Sequence, residues 1–355
     1  MAEYIGNIFL LILFGVILLW YKPSLLNKKI FCVLATSQWV LLSGLRHISI
    51  GPDTYSYKVN FFDPTIYESW GNVMENFVDV IFKGAPGKDP GYQLFEKLIQ
   101  IFTTNYQLYL VFIALIFTVS LGIWTYKNSS EPLISFLIYS CLFYSFFAIT
   151  GHRQTIATAL VVFIGYKFIK ERKFWPFLIL VLVGYTIHKS SVSFLLFYFI
   201  ANKKITKKYL ITMFVFIITL FVFKNQVMVV LGNFMGYEDF INQFEGAGTW
   251  TFTSVLILIT GVTFWKYKVM LKNNPQVTHF INALLLALTF IPLTFVDPSG
   301  MRVVQYFSLF LMLLIPEIIK SFKVSERVIV YYVAATVIIG LFIKNNPQYI
   351  FFWQG

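Results

Sequence analysis

Between Tyr4 and Ile343 the chain alternates apolar runs with short breaks that carry lysine or arginine, and this rhythm limits the fold more than any single motif. A helical run of about 20 apolar residues matches the ~30 Å hydrocarbon core of a bilayer. The segments 4–20, 30–45, 106–126, 132–150, 153–168, 174–188, 190–201, 209–223, 249–265, 279–296, 301–318 and 328–343 have this character, the seventh short enough for a half-span. With 58% hydrophobic and 12% charged residues, the chain is too apolar for a water-soluble domain, where charged residues make up about 25%. The expected fold is all-α, a polytopic transmembrane helical bundle of about twelve spans, because helices satisfy their own backbone hydrogen bonds in hydrocarbon and no barrel-like alternation is present. Residues 1–355 read as a single integral membrane domain. The first run lacks a basic start and a small-residue cleavage site and reads as a retained span. Cys32 and Cys141 have no metal-spaced neighbours.

Charge orients the bundle. If the break holding Lys22, Lys28 and Lys29 faces the cytoplasm, strict alternation sends Lys127 and the basic groups at 167–173, 203–208, 266–272 and 320–327 to the same side. Only Glu131, Glu171, Glu317 and Glu326 accompany them. The positive-inside rule is obeyed loop after loop. The net charge of +12 and pI of about 9.4 are therefore a topology signal and no argument for nucleic acid. Both termini are expected outside. So are the two long polar excursions, 47–105 and 224–248, and function is expected on that side. Within the first, Ile66, Trp70, Val73, Met74, Phe77, Val78 and Ile81 recur at helical spacing, which predicts an amphipathic helix over 66–82 on the outer membrane surface.

Ionisable residues gather at span ends on the same side: Arg46, His152 with Arg153, His188, and Arg302 after Asp297-Pro298. An arginine near hydrocarbon costs about 2.5 to 3.5 kcal/mol even on a lenient scale, so such residues pair or line a cavity. Guanidinium groups grip phosphate oxygens through parallel hydrogen bonds, and a cluster suits a pyrophosphate. In a membrane protein that pyrophosphate is the head of a polyprenyl-linked sugar, whose departure arginines can assist without a metal. No Asp-x-Asp, Walker or zinc signature is present. Asp89, followed by Pro90 at a helix start, reads as an N-cap.

The segment Arg46, Gly51, Asp53, Thr54, Tyr57 resembles the R-x(4)-G-x-D-[TY] stretch of EpsG-type Wzy polysaccharide polymerases. Asp89-Pro90-Gly91-Tyr92, Arg153-Gln154 with Ala157, His188 with Ser190, and Arg302 with Tyr306 are similar to that family's later landmarks, in the same order. His47 stands where an aromatic is expected, and Asp89 where Glu is commoner.

The resemblance implies a many-helix fold related to the GT-C glycosyltransferases, in a bacterial cytoplasmic membrane, with the active site outside. It implies polymerisation of capsule, exopolysaccharide or O-antigen repeat units, with undecaprenyl-pyrophosphate-linked oligosaccharide as both donor and acceptor and no cofactor or metal. Flippase and chain-length regulator proteins are the partners it implies, with membrane lipid around them. Arg46, Arg153 and Arg302 would hold the donor pyrophosphate, and Asp53 or His188 would take the acceptor proton. Tyr57, Asp89, Tyr92, His152 and Gln154 would contact sugar or support these groups. Two other classes stay open: a flippase or transporter of lipid-linked oligosaccharide, which needs charges through the bundle, and a membrane O-acyltransferase, whose donor would enter at the opposite face.

Overall fold

The computed structural model describes residues 1–62, 69–235, 249–344 and 348–354. Their regular structure is helical apart from one isolated antiparallel bridge between Arg46 and Phe351. In chain order the helices are α1 (Ala2–Gly15, continued by wide π turns to Tyr21), α2 (Leu25–Gly44), α3 (Thr54–Phe61), α4 (Trp70–Phe82), α5 (Pro90–Gln100), α6 (Tyr106–Asn128) and α7 (Pro132–Ile138). Then come α8 (His152–Thr158, continued to Lys170), α9 (Phe174–Ile187), α10 (Leu195–Ile200, after a 3-10 stretch from Lys189), α11 (Lys207–Val222) and α12 (Lys224–Met235). The last are α13 (Trp250–Asn273), α14 (Val277–Phe290), α15 (Met301–Ser308), α16 (Leu311–Lys320) and α17 (Val324–Lys344).

Several helices begin where a short polar side chain can take a free amide. Ser24 accepts from Asn27, Ser69 from Asn72, Thr206 from Tyr209, and Asn105 from both Gln107 and Leu108. The α4 helix accordingly starts at Trp70. The expected helix at 66–82 is present over its C-terminal part, and Ile66 lies outside the described residues. Its apolar stripe is only partly used: Val73 is buried, while Trp70, Met74, Val78 and Phe82 are exposed. Of the second excursion, 224–248, the described part is α12, and 236–248 lies outside the described residues.

The span count is lower than expected. Among the described residues six helices are long and apolar enough to cross a membrane, or up to eight if two bent pairs each count once. The bends are 77° between α11 and α12 and 49° between the 298–308 and 311–320 helices. Three of the four remaining apolar runs became shorter elements, Pro132–Phe143, Phe174–Ile187 and Lys189–Ile200, and the fourth lies in the helix of α-turns and π-turns from His152 to Lys170. Average hydropathy cannot see the cause. The 132–150 run changes to wide π turns after Ile138 and stops at Gly151, and between the 174–188 and 190–201 runs the chain is extended at His188 and goes on as a 3-10 stretch. A broken helix in a bundle is tolerated where the freed backbone groups face protein or a cavity.

The alternation of charge survives as geometry. At one end Lys28 Nζ reaches the Ser129 carbonyl (2.9 Å), Lys170 Nζ the Asn128 side chain (2.6 Å), and Lys320 Nζ the Ser130 carbonyl (3.0 Å) and Glu131 (3.4 Å). The helices leaving this end finish or start at the opposite one on Arg46, Arg153, His188 and Arg302. Both terminal segments belong to that second end: Tyr4 packs edge-on against Tyr349 (5.2 Å), and His47 N–H donates to Ile350 O (2.9 Å).

One close approach sets the position of α5. A Cβ on Gly91 would stand 2.8 Å from the Thr186 backbone carbon on α9, so only glycine lets the two helices meet. Gly91→Ala is expected to lower stability in detergent by about 1–3 kcal/mol. Gly261→Ala, whose new methyl meets nothing within 4 Å, should leave it unchanged or slightly raised; equal thermal unfolding of the two variants would refute the contact.

Candidate functional site

The Gly51-Pro52 turn brings the chain from α2 into α3. Gly51 has φ +93°, a left-handed backbone that side chains resist, and a Cβ there would press on Ile149. Thr54 locks the turn. Its hydroxyl donates to Ile50 O (2.8 Å) and lies 3.2 Å from Ile149 O, and its own carbonyl accepts from the Tyr106 hydroxyl (3.0 Å). Asp53 sits at the N-cap position, but its side chain makes no cap bond. It is half-buried and turned to a cavity of about 210 Å³. Ser56, Tyr57 and Asn60 of the same helix line that cavity with Asp53, a spacing that places all four on one helical face. Lys88, Phe146, Gly151, Arg153, Gln154, His188 and Arg302 complete the lining.

Asp89 holds the cavity's cationic side together. It stands at the N-cap position of α5 with φ 49° and no capping bond, so the expected cap does not form. The buried carboxylate is used elsewhere. Oδ2 takes Arg153 Nη1 at 3.0 Å and lies 3.4 Å from His188 Nδ1, while Oδ1 accepts the Lys189 amide at 3.1 Å. Burial on its own would raise the Asp89 carboxyl, but His188, Arg153 and the Lys189 amide outweigh it and hold it below the usual carboxylate range. A residue strained into the left-handed region and bonded to three partners is over-determined, which is how such strain persists at functional sites. The imidazole of His188 is buried, its Nδ1 faces Asp89, and its Nε2 has no hydrogen-bond partner among the described residues.

Arg46 lies beside the cavity and does not line it. It is 1% exposed, gives one nitrogen to the Ser43 carbonyl, and places Nη2 2.8 Å from His152 Nε2. His152 in turn stacks on Tyr57 (centroids 4.2 Å apart, planes 16°), and the Arg153 guanidinium carbon lies 5.5 Å from the Tyr57 ring centre and 5.8 Å from that of Tyr92. Arg46 therefore reaches the site through His152 and Tyr57. Tyr92 is buried against Tyr109, hydroxyl to hydroxyl at 2.7 Å. Gln154 donates to the Arg302 carbonyl at 2.7 Å and fixes the start of α15 against α8.

The structure thus brings Asp53, Tyr57, Arg153, Gln154, His188 and Arg302 to one cavity, with Asp89 behind them, and sets Arg46, His152 and Tyr92 in its wall. Ser56, Asn60 and Lys88 were not foreseen. The spacing of Ser56 and Asn60 from Asp53 on a short helix was the available signal. Among the described residues no group of three His, Cys, Asp or Glu is placed to hold a metal ion.

Glu96 is a further buried acid, 3.4 Å from the Tyr109 hydroxyl. Burial pushes its carboxyl from 4.5 up to about 8, so the folded chain holds a proton there that the unfolded chain releases. Its stabilising contribution is complete below pH 4.5 and is lost as pH rises toward 8. Glu96→Gln should remove that part of the slope. Thermal unfolding at pH 5 and pH 8 checks this, and an unchanged slope in the variant would overturn it.

The EpsG family model matches residues 29–351, a range that takes in every site residue named above. No curated protein and no solved structure matches the chain. By that match the chain belongs to the EpsG family, a family of Wzy-type polymerases.

Proposed function

We propose that this protein is a polysaccharide polymerase, a glycosyltransferase that moves a growing glycan from its undecaprenyl-pyrophosphate carrier to a hydroxyl of an incoming lipid-linked repeat unit. The observation that carries this reading is the cavity itself, where Arg153, Arg302 and Lys88 meet a buried imidazole at one end of a helical bundle. The lysine-rich breaks at the other end support a site on the outer face of the cytoplasmic membrane.

The reaction breaks the bond between the donor's anomeric carbon and its pyrophosphate oxygen. The bond's electron pair stays on that oxygen, where Arg153, Arg302 and Lys88 stabilise the growing charge with no need for a metal. The acceptor oxygen bonds to the anomeric carbon and loses its proton to His188 Nε2. Asp89 makes this base effective by accepting Nδ1–H, which leaves the lone pair on Nε2, the nitrogen without a partner. Of the two candidate bases, His188 is favoured over Asp53 by this carboxylate behind it. Arg46 has no direct path to the donor and acts as a positioning residue through His152.

Purified protein mixed with lipid-pyrophosphate-linked repeat units from the producing cells should yield a ladder of polymer. His188→Ala should slow the ladder about 10²–10⁴-fold. Arg302→Ala should raise KM for the lipid-linked unit, while Arg46→Lys should lower stability more than it alters KM. A wild type that makes no ladder from its cognate unit, or labelling that puts Arg153 and Arg302 on the cytoplasmic side, rules out the proposal.

A further inference from the structure

The cavity has two kinds of lining. Arg153, Arg302 and Lys88 bring positive charge from α8, α15 and the approach to α5. The α3 face brings none: Asp53, Ser56 and Asn60 are an acid, a hydroxyl and an amide, one helical turn apart. A pyrophosphate would be repelled by Asp53 and would gain little from Ser56. Sugar hydroxyls fit this set, because each can donate to the carboxylate and also exchange hydrogen bonds with a hydroxyl or an amide. Phe146, half-buried at the same cavity, adds an apolar surface on which the C–H face of a sugar ring can rest. The Tyr57 ring is not free for that task, since His152 is stacked on it.

We propose that the α3 face formed by Asp53, Ser56 and Asn60 is the binding subsite for the acceptor sugar, with Asp53 a hydroxyl ligand and no longer a candidate base. This assignment rests on the polymerase reading for the word acceptor, but the binding of sugar hydroxyls stands on the cavity alone. It divides the labour of the site by charge: the cationic residues take the lipid pyrophosphate of the donor, and α3 takes the non-reducing sugar of the incoming unit. The mount of α3 suits a specificity element. Its first turn is locked by Thr54 to Ile50, Ile149 and Tyr106, and near its far end Gln100 donates to the Phe61 carbonyl (2.8 Å). Ser56 and Asn60 are exposed, so changing them alters what the cavity recognises and leaves the packing in place.

The test uses the full-length protein in detergent and two probes. One is the lipid-linked repeat unit extracted from producing cells; the other is the oligosaccharide released from it by mild acid, which keeps the non-reducing sugar but has no pyrophosphate. In the ladder assay, Ser56→Ala and Asn60→Ala should each raise KM for the released oligosaccharide as acceptor about two- to tenfold. With the released oligosaccharide at saturation, KM for the lipid-linked donor should rise less than the acceptor KM does, and thermal unfolding should match wild type. Saturation-transfer NMR with the released oligosaccharide gives a second reading that needs no turnover: contact at the non-reducing sugar should weaken in both variants. A wild type that binds the oligosaccharide but makes no ladder defeats the polymerase reading and leaves the sugar subsite standing. If a ladder forms but both variants keep wild-type acceptor KM, or donor and acceptor KM rise together, the subsite is overturned and the polymerase reading survives.

Discussion

A single buried carboxylate, that of Asp89, ties together the cationic side of this site. It is the only anion bonded to Arg153 among the described ion pairs, it faces the one imidazole on the cavity, and it takes the amide that opens the stretch after α9. Two segments far apart in sequence, at Arg153 and at 188–189, converge on its two oxygen atoms. A buried ion of this kind is costly unless all its lone pairs are used, and here the backbone accepts a left-handed conformation to use them. The close contact of Gly91 with Thr186 belongs to the same arrangement, because Asp89 reaches α9 only if the next turn of α5 can touch it.

The bundle around Asp89 separates two kinds of polar chemistry. At the lysine-rich end, side-chain ammonium groups meet backbone carbonyls and a half-buried acid, contacts at the rim of the bundle that water partly screens. At the other end Arg46, Asp89 and His188 are buried and Arg153 is half-buried, bonded to neighbouring polar groups or lying against aromatic rings. The low-dielectric surroundings make each of these interactions stronger and each missing partner more costly. A charged, partly buried cluster is thus held at one end of a mostly apolar bundle.

Much of this was legible from residue order. The apolar rhythm gave the all-helical class, the lysines gave the two ends, and charges at span limits gave Arg153, His188 and Arg302. Illegible features depend on direction more than on composition. An arginine at the end of α2 can point into a cavity or into its wall, and Arg46 points into the wall because Ser43 O and His152 are there to receive it. Asp89 before a proline looks like a cap in any sequence, and only the approach of α9 reveals that its oxygens are taken. Fewer helices than expected are long enough to span for a similar reason, since hydropathy is an average and a bend or a π turn is a local event.

The pairing of Arg46 with Phe351 has a consequence for how the molecule is made. Leu45 O accepts from Phe352 N–H at 3.0 Å, His47 donates to Ile350, and the Tyr349 hydroxyl donates to Leu42 O at 2.8 Å. The backbone on both sides of Arg46 is therefore completed by Ile350 and Phe352, residues synthesised much later. During membrane insertion an early arginine with two unpaired backbone neighbours must wait at the bilayer edge, where water can still solvate it. Docking of the segment at 350–352 then completes the backbone at the Arg46 end of the bundle.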